Sequence, residues 1–240
     1  MKGTELNAKP TKLSAFEVNP EVMVKIRAMQ NRDCIQVAKL HMDAMGDSLW
    51  AKLGHRFLTE LYKGLVDSPY FLGFVYEEFR ANKDSHIRGF IGGSTDTSAM
   101  MADLFKSRWA VLSISALPKL MSSPSLCSRL LETGRYSTRS SKAGSRIPGE
   151  SLFCSFESDL RGLRVAGHIN KVLFDDLLAR GHSQVKVTTE TDNVGANRQL
   201  KSWGFERQDV FRFYGKEMVR YVLDLEASER VEPVSRHPAV

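Results

Sequence analysis

One loop of the sequence has the residue types and the position that suit phosphate binding. It consists of Arg161, Gly162, Leu163, Arg164, Val165, Ala166 and Gly167. Small residues let an anion approach the backbone closely, and a helix that begins near Arg164 points its unpaired N–H groups at that anion. The loop therefore predicts a site for a phosphate or pyrophosphate group.

The sequence pattern predicts a strand before this loop and a helix after it. Residues 151–156 form a short apolar run bounded by polar turn residues, which favours a buried strand. After the loop, apolar residues recur at helical spacing at Ile169, Leu173 and Leu177. Gly181 then provides a typical left-handed cap. The order of elements is strand, phosphate loop, helix.

A second motif follows the next predicted strand, residues 184–189. Its members are Asn193, Ala196, Leu200, Gly204 and Phe205. Together the two motifs resemble the GNAT superfamily of acyl-CoA-dependent N-acetyltransferases, whose acetyl-CoA loop reads Arg/Gln-x-x-Gly-x-Gly/Ala. The next segment of that family reads Asn-x-x-Ala-x-x-x-Tyr-x-x-x-Gly-Phe, and the spacing of both motifs fits this chain without gaps. The resemblance covers residues 23–225 and is specific from Glu150 onward.

Two positions depart from the family pattern. Arg164 stands where the loop usually has Gly, so either the backbone is less strained there or the arginine side chain itself meets a phosphate. Leu200 stands where the family often has a Tyr that protonates the leaving thiolate. Tyr214, in the closing hairpin, is the preferred replacement, with Tyr136 as the second candidate. A thiol with a pKa of about 8.5 needs only water as a proton donor, so loss of the Tyr does not forbid catalysis.

The resemblance implies a fold, a co-substrate and a reaction. The fold is α/β, with a mixed, mostly antiparallel central sheet flanked by helices. The co-substrate is acetyl-CoA, no metal takes part, and the amine attacks the thioester directly. Besides the seven loop residues, the implied cofactor-binding residues are Cys154, Ser155, Phe156, Asn193 and Ala196. Asn193 is expected to hydrogen-bond the pantetheine amide, to cap the next helix, or both.

Glu150 is the candidate general base. An amine with a pKa of about 10.4 is protonated at neutral pH, so a base must act directly or through water. Some family members place a catalytic Glu at this position, and an exposed carboxylate at the strand edge is the equally weighted alternative. Backbone N–H groups near Phe156, where the fourth strand of the family separates from the fifth, would polarise the carbonyl. A Cys154 nucleophile is less favoured, because a lone Cys in an apolar strand is usually core.

The acceptor is predicted to be a small-molecule amine, such as an amino sugar or another metabolite. The alternatives are a protein or peptide amine as acceptor, and a CoA-binding module that has lost catalysis. His168 and His182 have no partner at dyad or ligand spacing and are predicted to be solvated.

Periodicity predicts the remaining elements of the domain. Strands are expected at 24–29, 70–77, 87–93, 210–214 and 218–225, and amphipathic helices at 35–45 and 50–65. The predicted GNAT-like domain, 23–225, lies between flexible tails at 1–22 and 226–240.

A long helical insertion, residues 97–148, is predicted between the third and fourth strands. Pro118 and Pro124 divide it into two or three short helices. Three interpretations compete: a lid or wall of the acceptor site, a homodimer contact, or a basic amphipathic patch on a membrane surface. The lid or wall is favoured.

Composition limits the classes of partner. The net charge of +6 favours anionic partners, but no run of Lys and Arg interleaved with aromatics indicates nucleic acid. Three widely spaced cysteines suggest neither a disulfide framework nor zinc. No apolar run approaches the roughly 20 residues that span a bilayer, and the N-terminus does not read as a secretory signal. We therefore predict a cytoplasmic enzyme without integral membrane association.

Overall fold

A seven-stranded sheet forms the centre of the protein. The computed structural model describes residues 16–82, 84–123, 126, 147–213 and 215–232. In this part of the chain the strands are β1 (Ile26–Ala28), β2 (Phe71–Phe79), β3 (Ser85–Ser94), β4 (Glu150–Phe156), β5 (Gln184–Glu190), β6 (Glu206–Phe213) and β7 (Lys216–Asp224). The helices are α1 (Pro20–Met23), α2 (Cys34–Met45), α3 (Leu49–Lys52), α4 (His55–Asp67), α5 (Thr97–Ser122), α6 (Val165–Ala179) and α7 (Val194–Trp203).

The sheet is mixed and mostly antiparallel. Its strand order is β1-β2-β3-β4-β5-β7-β6. All neighbouring strands run antiparallel except β4 and β5, which are parallel. Helices cover both faces of the sheet, so the predicted α/β fold class is confirmed.

The two parallel strands separate after a short paired stretch. Glu150 pairs with Lys186 and Ser151 pairs with Val187. Beyond these positions β4 continues to Phe156 along β3, and β5 continues to Glu190 along β7. Each strand therefore keeps one neighbour while a gap opens in the middle of the sheet. This is the separation of the fourth and fifth strands that the resemblance implied.

Two apolar clusters hold helices against the two faces of the sheet. One cluster joins α2, α4 and α5 to the sheet and includes Tyr62 and Phe90. The other joins α6 and α7 to the opposite face and includes Ile91 and Phe174. Phe90 and Ile91 are neighbours in β3 but belong to different clusters, because successive side chains of a strand point to opposite faces. β3 is thus buried on both sides beside the gap.

Two helical segments differ from the sequence prediction. The helix predicted over 50–65 is broken into α3 and α4 at Gly54, whose φ of 98° lies in the left-handed region that favours glycine. The first part of the insertion is one helix of 26 residues, α5, that continues through Pro118. Proline near the end of a helix removes one backbone hydrogen bond, here to the carbonyl of Ile114, without ending the helix. Residues 124–125 and 127–146 of the predicted insertion lie outside the described residues.

Residues 16–22 belong to the segment predicted as a flexible N-terminal tail, and here they pack on the domain. The ring of Phe16 lies 4.9 Å from the ring of His168 and 5.5 Å from the ring of Trp203. Aromatic burial fixes this segment, whereas residues 1–15 lie outside the described residues.

The first residues of the predicted C-terminal tail also pack on the domain. Val231 is buried, and the backbone N–H of Glu232 donates to the Asp175 carboxylate over 2.9 Å. Lys171 donates to the carbonyl of Arg230 over 3.0 Å. Residues 230–232 are therefore held against α6, and residues 233–240 lie outside the described residues.

Candidate active site

The predicted phosphate loop is a turn with left-handed backbone at two positions. Gly162 has a φ of 85° and Arg164 a φ of 58°, and Arg164 is the one non-glycine residue with positive φ among those described. For an L-residue this conformation costs about 1–2 kcal/mol. The interpretation that the backbone relaxes at Arg164 is therefore wrong. Contact of its side chain with a phosphate stays a prediction.

Positive charge concentrates where this loop enters α6. The side chains of Arg161 and Arg164 are exposed, and Arg164 is the residue that precedes the first turn of α6. N–H groups of a first helical turn have no partner within their own helix and carry the positive end of its dipole. Two guanidinium groups and these N–H groups together suit a pyrophosphate.

His168 holds the strained turn in place. Its Nε2 accepts the backbone N–H of Asn19 over 2.8 Å, so Nδ1 carries the proton and donates to the carbonyl of Arg164 over 2.8 Å. The side chain is 1% exposed, so the prediction that His168 is solvated is wrong. The reason is the N-terminal segment, which sequence periodicity did not place over α6. The ring therefore links that segment to the loop.

Gly167 allows that segment to come close. A Cβ at Gly167 would lie 2.8 Å from Cε2 of Phe16, which is closer than atoms of real side chains approach. The small residue predicted to make room for an anion also makes room for an aromatic ring.

A cleft of about 180 Å³ lies in the gap between β4 and β5. Leu152, Phe153 and Cys154 line it from β4, and Val187, Thr188 and Thr189 line it from β5. Asn193, which precedes α7, and Ala196 and Leu200 of α7 complete the lining together with Asn170 of α6. Asn170 lies six residues beyond Arg164 on α6, or about 9 Å along the helix axis. The phosphate loop and the cleft are thus neighbours.

A second cavity, of about 310 Å³, lies at the paired end of the same two strands. Its lining includes Glu150, Lys186, Phe211, Phe213, Met218 and Arg220. Ser151, Leu152, Phe153 and Thr188 line both this cavity and the cleft. Two ligands that occupy these spaces would therefore meet at the gap between β4 and β5.

The second cavity combines aromatic walls with charged groups. The guanidinium of Arg220 lies 5.4 Å from the centre of the Phe211 ring and 3.4 Å from Oδ1 of Asp209. Lys186 adds a second cation on the β5 side. A ligand with a ring or apolar face and a polar or anionic group would be complementary to this lining.

Glu150 is half-buried at the edge of the second cavity. Its Oε2 accepts a hydrogen bond from Oγ1 of Thr97 over 2.7 Å and lies 3.7 Å from Nζ of Lys186. Thr97 is the first residue of α5, so the insertion contacts the proposed base through its first turn. The two contacts fix the carboxylate at the mouth of the gap.

Comparison with solved structures identifies the fold of this chain. No known family profile and no curated protein matches the sequence. A protein from Desulfovibrio desulfuricans assigned to the GNAT family of acetyltransferases is 10% identical, and the match covers 83% of this chain and 97% of that chain with a TM-score of 0.52. This chain has the GNAT fold. An N-acetyltransferase from Staphylococcus aureus Mu50 is 12% identical over 83% of this chain and 96% of its own, with a TM-score of 0.50.

Within the GNAT fold, the position of the usual Tyr is apolar in this chain. Leu200 is 8% exposed and lies in the wall of the cleft. The predicted replacements, Tyr214 and Tyr136, both lie outside the described residues. The neighbour of Tyr214, Phe213, lines the second cavity.

Cys154 lies at the gap rather than in the core. The residue is exposed to the cleft, so the expectation of a buried core cysteine is wrong. The reason is the separation of β4 from β5, which uncovers a position that a continuous sheet would bury. Desolvation by the residues beside the cleft raises the pKa of the Cys154 thiol to about 12, so the thiol is neutral at physiological pH. A neutral thiol is a poor nucleophile, which agrees with the low weight given to a covalent route.

The other predicted cofactor residues of β4 and α7 have different surroundings. Ser155 is buried, and its hydroxyl donates to the carbonyl of Leu40 over 3.2 Å on the opposite face of the sheet. The Phe156 ring fills the space beside Gly89, where a Cβ would lie 2.2 Å from Cδ1 of that ring. Asn193 accepts the backbone N–H of Ala196 over 3.1 Å and so caps α7. Any contact of Ser155 or Phe156 with a cofactor would be made by the backbone.

Sequence reasoning missed several residues of the two cavities. The sequence does not indicate that Thr97 contacts Glu150, because the two residues are 53 positions apart in the chain. Lys186 lies between Val185 and Val187 in an alternating strand. The alternation predicts that its side chain faces the opposite side of the sheet from those two valines, but it does not predict that Lys186 lies beside Glu150. The positions of Phe211 and Arg220 in the cavity wall could be recognised only from the register of β6 with β7.

A buried histidine of α2 packs against β4 next to the gap. His41 is 0% exposed, its Nδ1 lies 2.7 Å from the Tyr62 hydroxyl, and its ring lies 5.3 Å from the Phe153 ring. Burial lowers the pKa of His41 to about 4, so the ring is neutral at physiological pH. This residue packs behind Phe153 and does not line either cavity.

Proposed function

We propose that this protein transfers an acetyl group from acetyl-CoA to a primary amine of a small molecule. The observation that carries the proposal is the gap between β4 and β5, where the cleft and the second cavity share four lining residues. An anion-suited helix terminus flanks the cleft, and a fixed carboxylate flanks the second cavity. This arrangement suits a long phosphate-bearing donor on one side and an acceptor on the other.

The residues of the cleft fit the donor. Arg161, Arg164 and the N–H groups of residues 165–167 would hold the pyrophosphate, and the cleft would hold the pantetheine arm. The backbone of β4 beyond Ser151 is not paired with β5, so it has hydrogen-bonding groups directed at the gap. Asn193 and Asn170 can bind the amides of the arm, and Ala196 leaves room for it. When bound, acetyl-CoA supplies an activated acyl group as a thioester.

The chemistry assigned to the chain is positioning and proton transfer. Backbone N–H groups of β4 near Phe156 would stabilise negative charge on the carbonyl oxygen as the amine nitrogen attacks the carbonyl carbon. Glu150, held by Thr97, takes the proton of the amine directly or through water. The carbon–sulfur bond then breaks and the thiolate leaves. Leu200 has no proton to donate, so we assign protonation of the departing sulfur to Tyr214 or to water.

The second cavity supports a compact acceptor. Its volume of about 310 Å³ is at the lower end of the range for small-molecule sites. Phe211, Phe213 and Met218 would contact a ring or apolar face, and Lys186 and Arg220 would bind an anionic or hydroxyl group. Amino sugars and amino acids carry such groups and spermidine does not, so we expect them to be better acceptors than spermidine.

The experiment is an acetylation assay with a panel of amines and detection of free CoA by chromatography. We expect turnover with at least one amino sugar or amino acid, and a loss of about 10²–10⁴ in kcat for Glu150→Gln, because a positioned base contributes that much. Glu226→Gln changes an exposed carboxylate outside the site and serves as the matched control. Equal turnover of the two variants would remove Glu150 as the base. Absence of turnover across the panel, with acetyl-CoA still bound, would favour an inactive CoA-binding module.

A further inference from the structure

The N-terminal segment, residues 16–22, is linked to the phosphate loop by a side chain that the proposed reaction does not use. That side chain is His168, which accepts the backbone N–H of Asn19 at Nε2 and donates from Nδ1 to the carbonyl of Arg164, each over 2.8 Å. The Arg164 carbonyl also accepts the backbone N–H of His168 over 3.2 Å. Asn19 lies 149 residues before His168, so the docked segment completes this set of bonds.

The carbonyl that His168 holds belongs to the strained residue of the loop. Arg164 has a φ of 58°, and strain of this kind persists only where the surrounding structure fixes the backbone. The two hydrogen bonds from His168 fix it here. Arg164 is also the residue that precedes the first turn of α6. Its conformation therefore sets the direction of the N–H groups of residues 165–167, which have no partner within the helix.

Apolar packing and a helix cap fix the segment itself. The Phe16 ring packs against the second apolar cluster, 4.9 Å from the ring of His168 and 5.5 Å from the ring of Trp203. The side chain of Asn19 accepts the N–H of Glu21 over 2.9 Å and caps α1. The cap fixes the backbone at the residue whose N–H meets His168, so the position of the segment determines the orientation of the imidazole ring.

The docked segment leaves the charged groups of the loop open. A cavity of about 330 Å³ is lined by residues 17–20 of the segment and by Leu163, Arg164 and His168. The side chains of Arg161 and Arg164 remain exposed. The segment therefore supports the loop without covering the guanidinium groups that suit a phosphate, which argues against an inhibitory role.

We propose that His168 is a positioning residue through which the N-terminal segment holds the phosphate loop in the conformation that binds acetyl-CoA. This inference rests on the proposed function, because acetyl-CoA is the donor assigned there. The N–H of Asn19 keeps Nε2 unprotonated, so the proton stays on Nδ1 and points at the Arg164 carbonyl. Without the segment the ring loses this restraint, and Arg164 relaxes toward negative φ. The N–H groups of residues 165–167 then lose the common direction that an anion requires.

Two substitutions of His168 separate its two bonds. His168→Gln keeps an acceptor for the N–H of Asn19, because the glutamine amide extends as far from the backbone as Nε2, but it has no donor at the Arg164 carbonyl. His168→Asn keeps that donor, since Asn170, two residues later in α6, donates in the same way to the carbonyl of Ala166 over 2.6 Å. We expect the dissociation constant for acetyl-CoA to rise about tenfold in His168→Gln and about threefold in His168→Asn, as measured by calorimetric titration.

Phe16→Ser releases the segment while His168 stays intact. We expect the dissociation constant for acetyl-CoA to rise about threefold, and not to rise further when Phe16→Ser is added to His168→Asn, because the link is already cut. Val231→Ser is the matched control, because Val231 is a buried apolar residue of the C-terminal segment. That segment packs on α6 at Asp175, about 16 Å along the helix from Arg164. Val231→Ser should lower stability but bind acetyl-CoA like the wild type.

Hydrogen exchange without any ligand tests the link independently of acetyl-CoA. The N–H groups of Leu163 and His168 are hydrogen-bonded within the loop and the first turn of α6. Mass spectrometry of peptides that contain them should show exchange about threefold faster or more in Phe16→Ser, because the loop opens more often. Exchange in Val231→Ser should match the wild type.

The outcomes separate this inference from the proposed function. Equal affinity and equal exchange in Phe16→Ser, Val231→Ser and the wild type would overturn the inference and leave the proposed function standing. Equal affinities of His168→Gln and His168→Asn would also overturn it, because the ring would then only fill space. Tighter binding by Phe16→Ser would do so as well, since the segment would then hinder the donor. A wild type that does not bind acetyl-CoA would remove the proposed function and the inference with it.

Discussion

Replacement of Arg164 by Gly should raise stability and lower affinity for acetyl-CoA at the same time. Arg164 has a φ of 58°, in the region where an L-residue is strained and glycine is not. The substitution removes a conformational cost of about 1–2 kcal/mol in the folded state. Glycine also makes the unfolded chain more flexible, which offsets about 0.5–1 kcal/mol.

The net effect on the free energy of unfolding is therefore a gain of about 0.5–1 kcal/mol. For a domain of this size, that gain raises Tm by about 1–4 °C. Loss of the guanidinium removes a charge-assisted hydrogen bond to phosphate, worth about 1.5–3 kcal/mol, so the dissociation constant for acetyl-CoA should rise about tenfold or more. The two effects have opposite signs because one comes from the backbone and the other from the side chain.

Comparison with Arg164→Ala separates the two contributions. Alanine also lacks the guanidinium but keeps the strained backbone, so both variants should bind acetyl-CoA equally weakly. Denaturant unfolding should show the glycine variant to be more stable than the alanine variant by about 1 kcal/mol. If alanine is as stable as glycine at this position, the backbone is not strained there and the reasoning about the loop is refuted.

Two further predictions follow from the pKa of Cys154, which lines the cleft, and from the pKa of His41, which packs behind Phe153. The Cys154 thiol, whose pKa is raised to about 12, should resist iodoacetamide at pH 8 in the folded protein and react after denaturation, as followed by mass spectrometry; rapid alkylation in the folded state would contradict the proposed desolvation. His41 has a pKa lowered to about 4, so the unfolded chain takes up a proton near pH 6.5 that the folded chain does not. Stability is therefore retained above that pH and should fall by about 3 kcal/mol as pH drops from 6.5 toward 4. Urea unfolding of the wild type and of His41→Gln checks this, since the variant should lose that part of the pH dependence; an unchanged profile would exclude His41 as its source.

The strand, loop and helix around residues 150–181 could be predicted because their signals are local. A short apolar run, a small-residue loop and a helical period lie next to one another, and the structure has β4 and α6 in those places. The fold class was implied by the resemblance of the two motifs to the GNAT superfamily, and those motifs are visible in the sequence alone. The loop at Arg164 could be located from the sequence, but its strained, left-handed conformation is known only from the backbone angles.

The parts that could not be predicted depend on contacts between distant residues. His168 was expected in solvent, and it is buried because Asn19, 149 residues earlier, binds its ring. Cys154 was expected in the core, and the departure of β5 exposes it to the cleft. Pro118 was expected to end a helix, but α5 packs along α4 and continues through it. In each case tertiary packing outweighed a local preference.

Calorimetric titration with acetyl-CoA tests the central claim that the loop and cleft form a donor site. We expect saturable single-site binding by the wild type that is lost in Arg161→Ala/Arg164→Ala. Arg32→Ala/Arg207→Ala, which removes two exposed arginines elsewhere, should bind like the wild type. Absence of binding by the wild type, or equal binding by the two double variants, would contradict the assignment of the phosphate loop and the proposed function that rests on it.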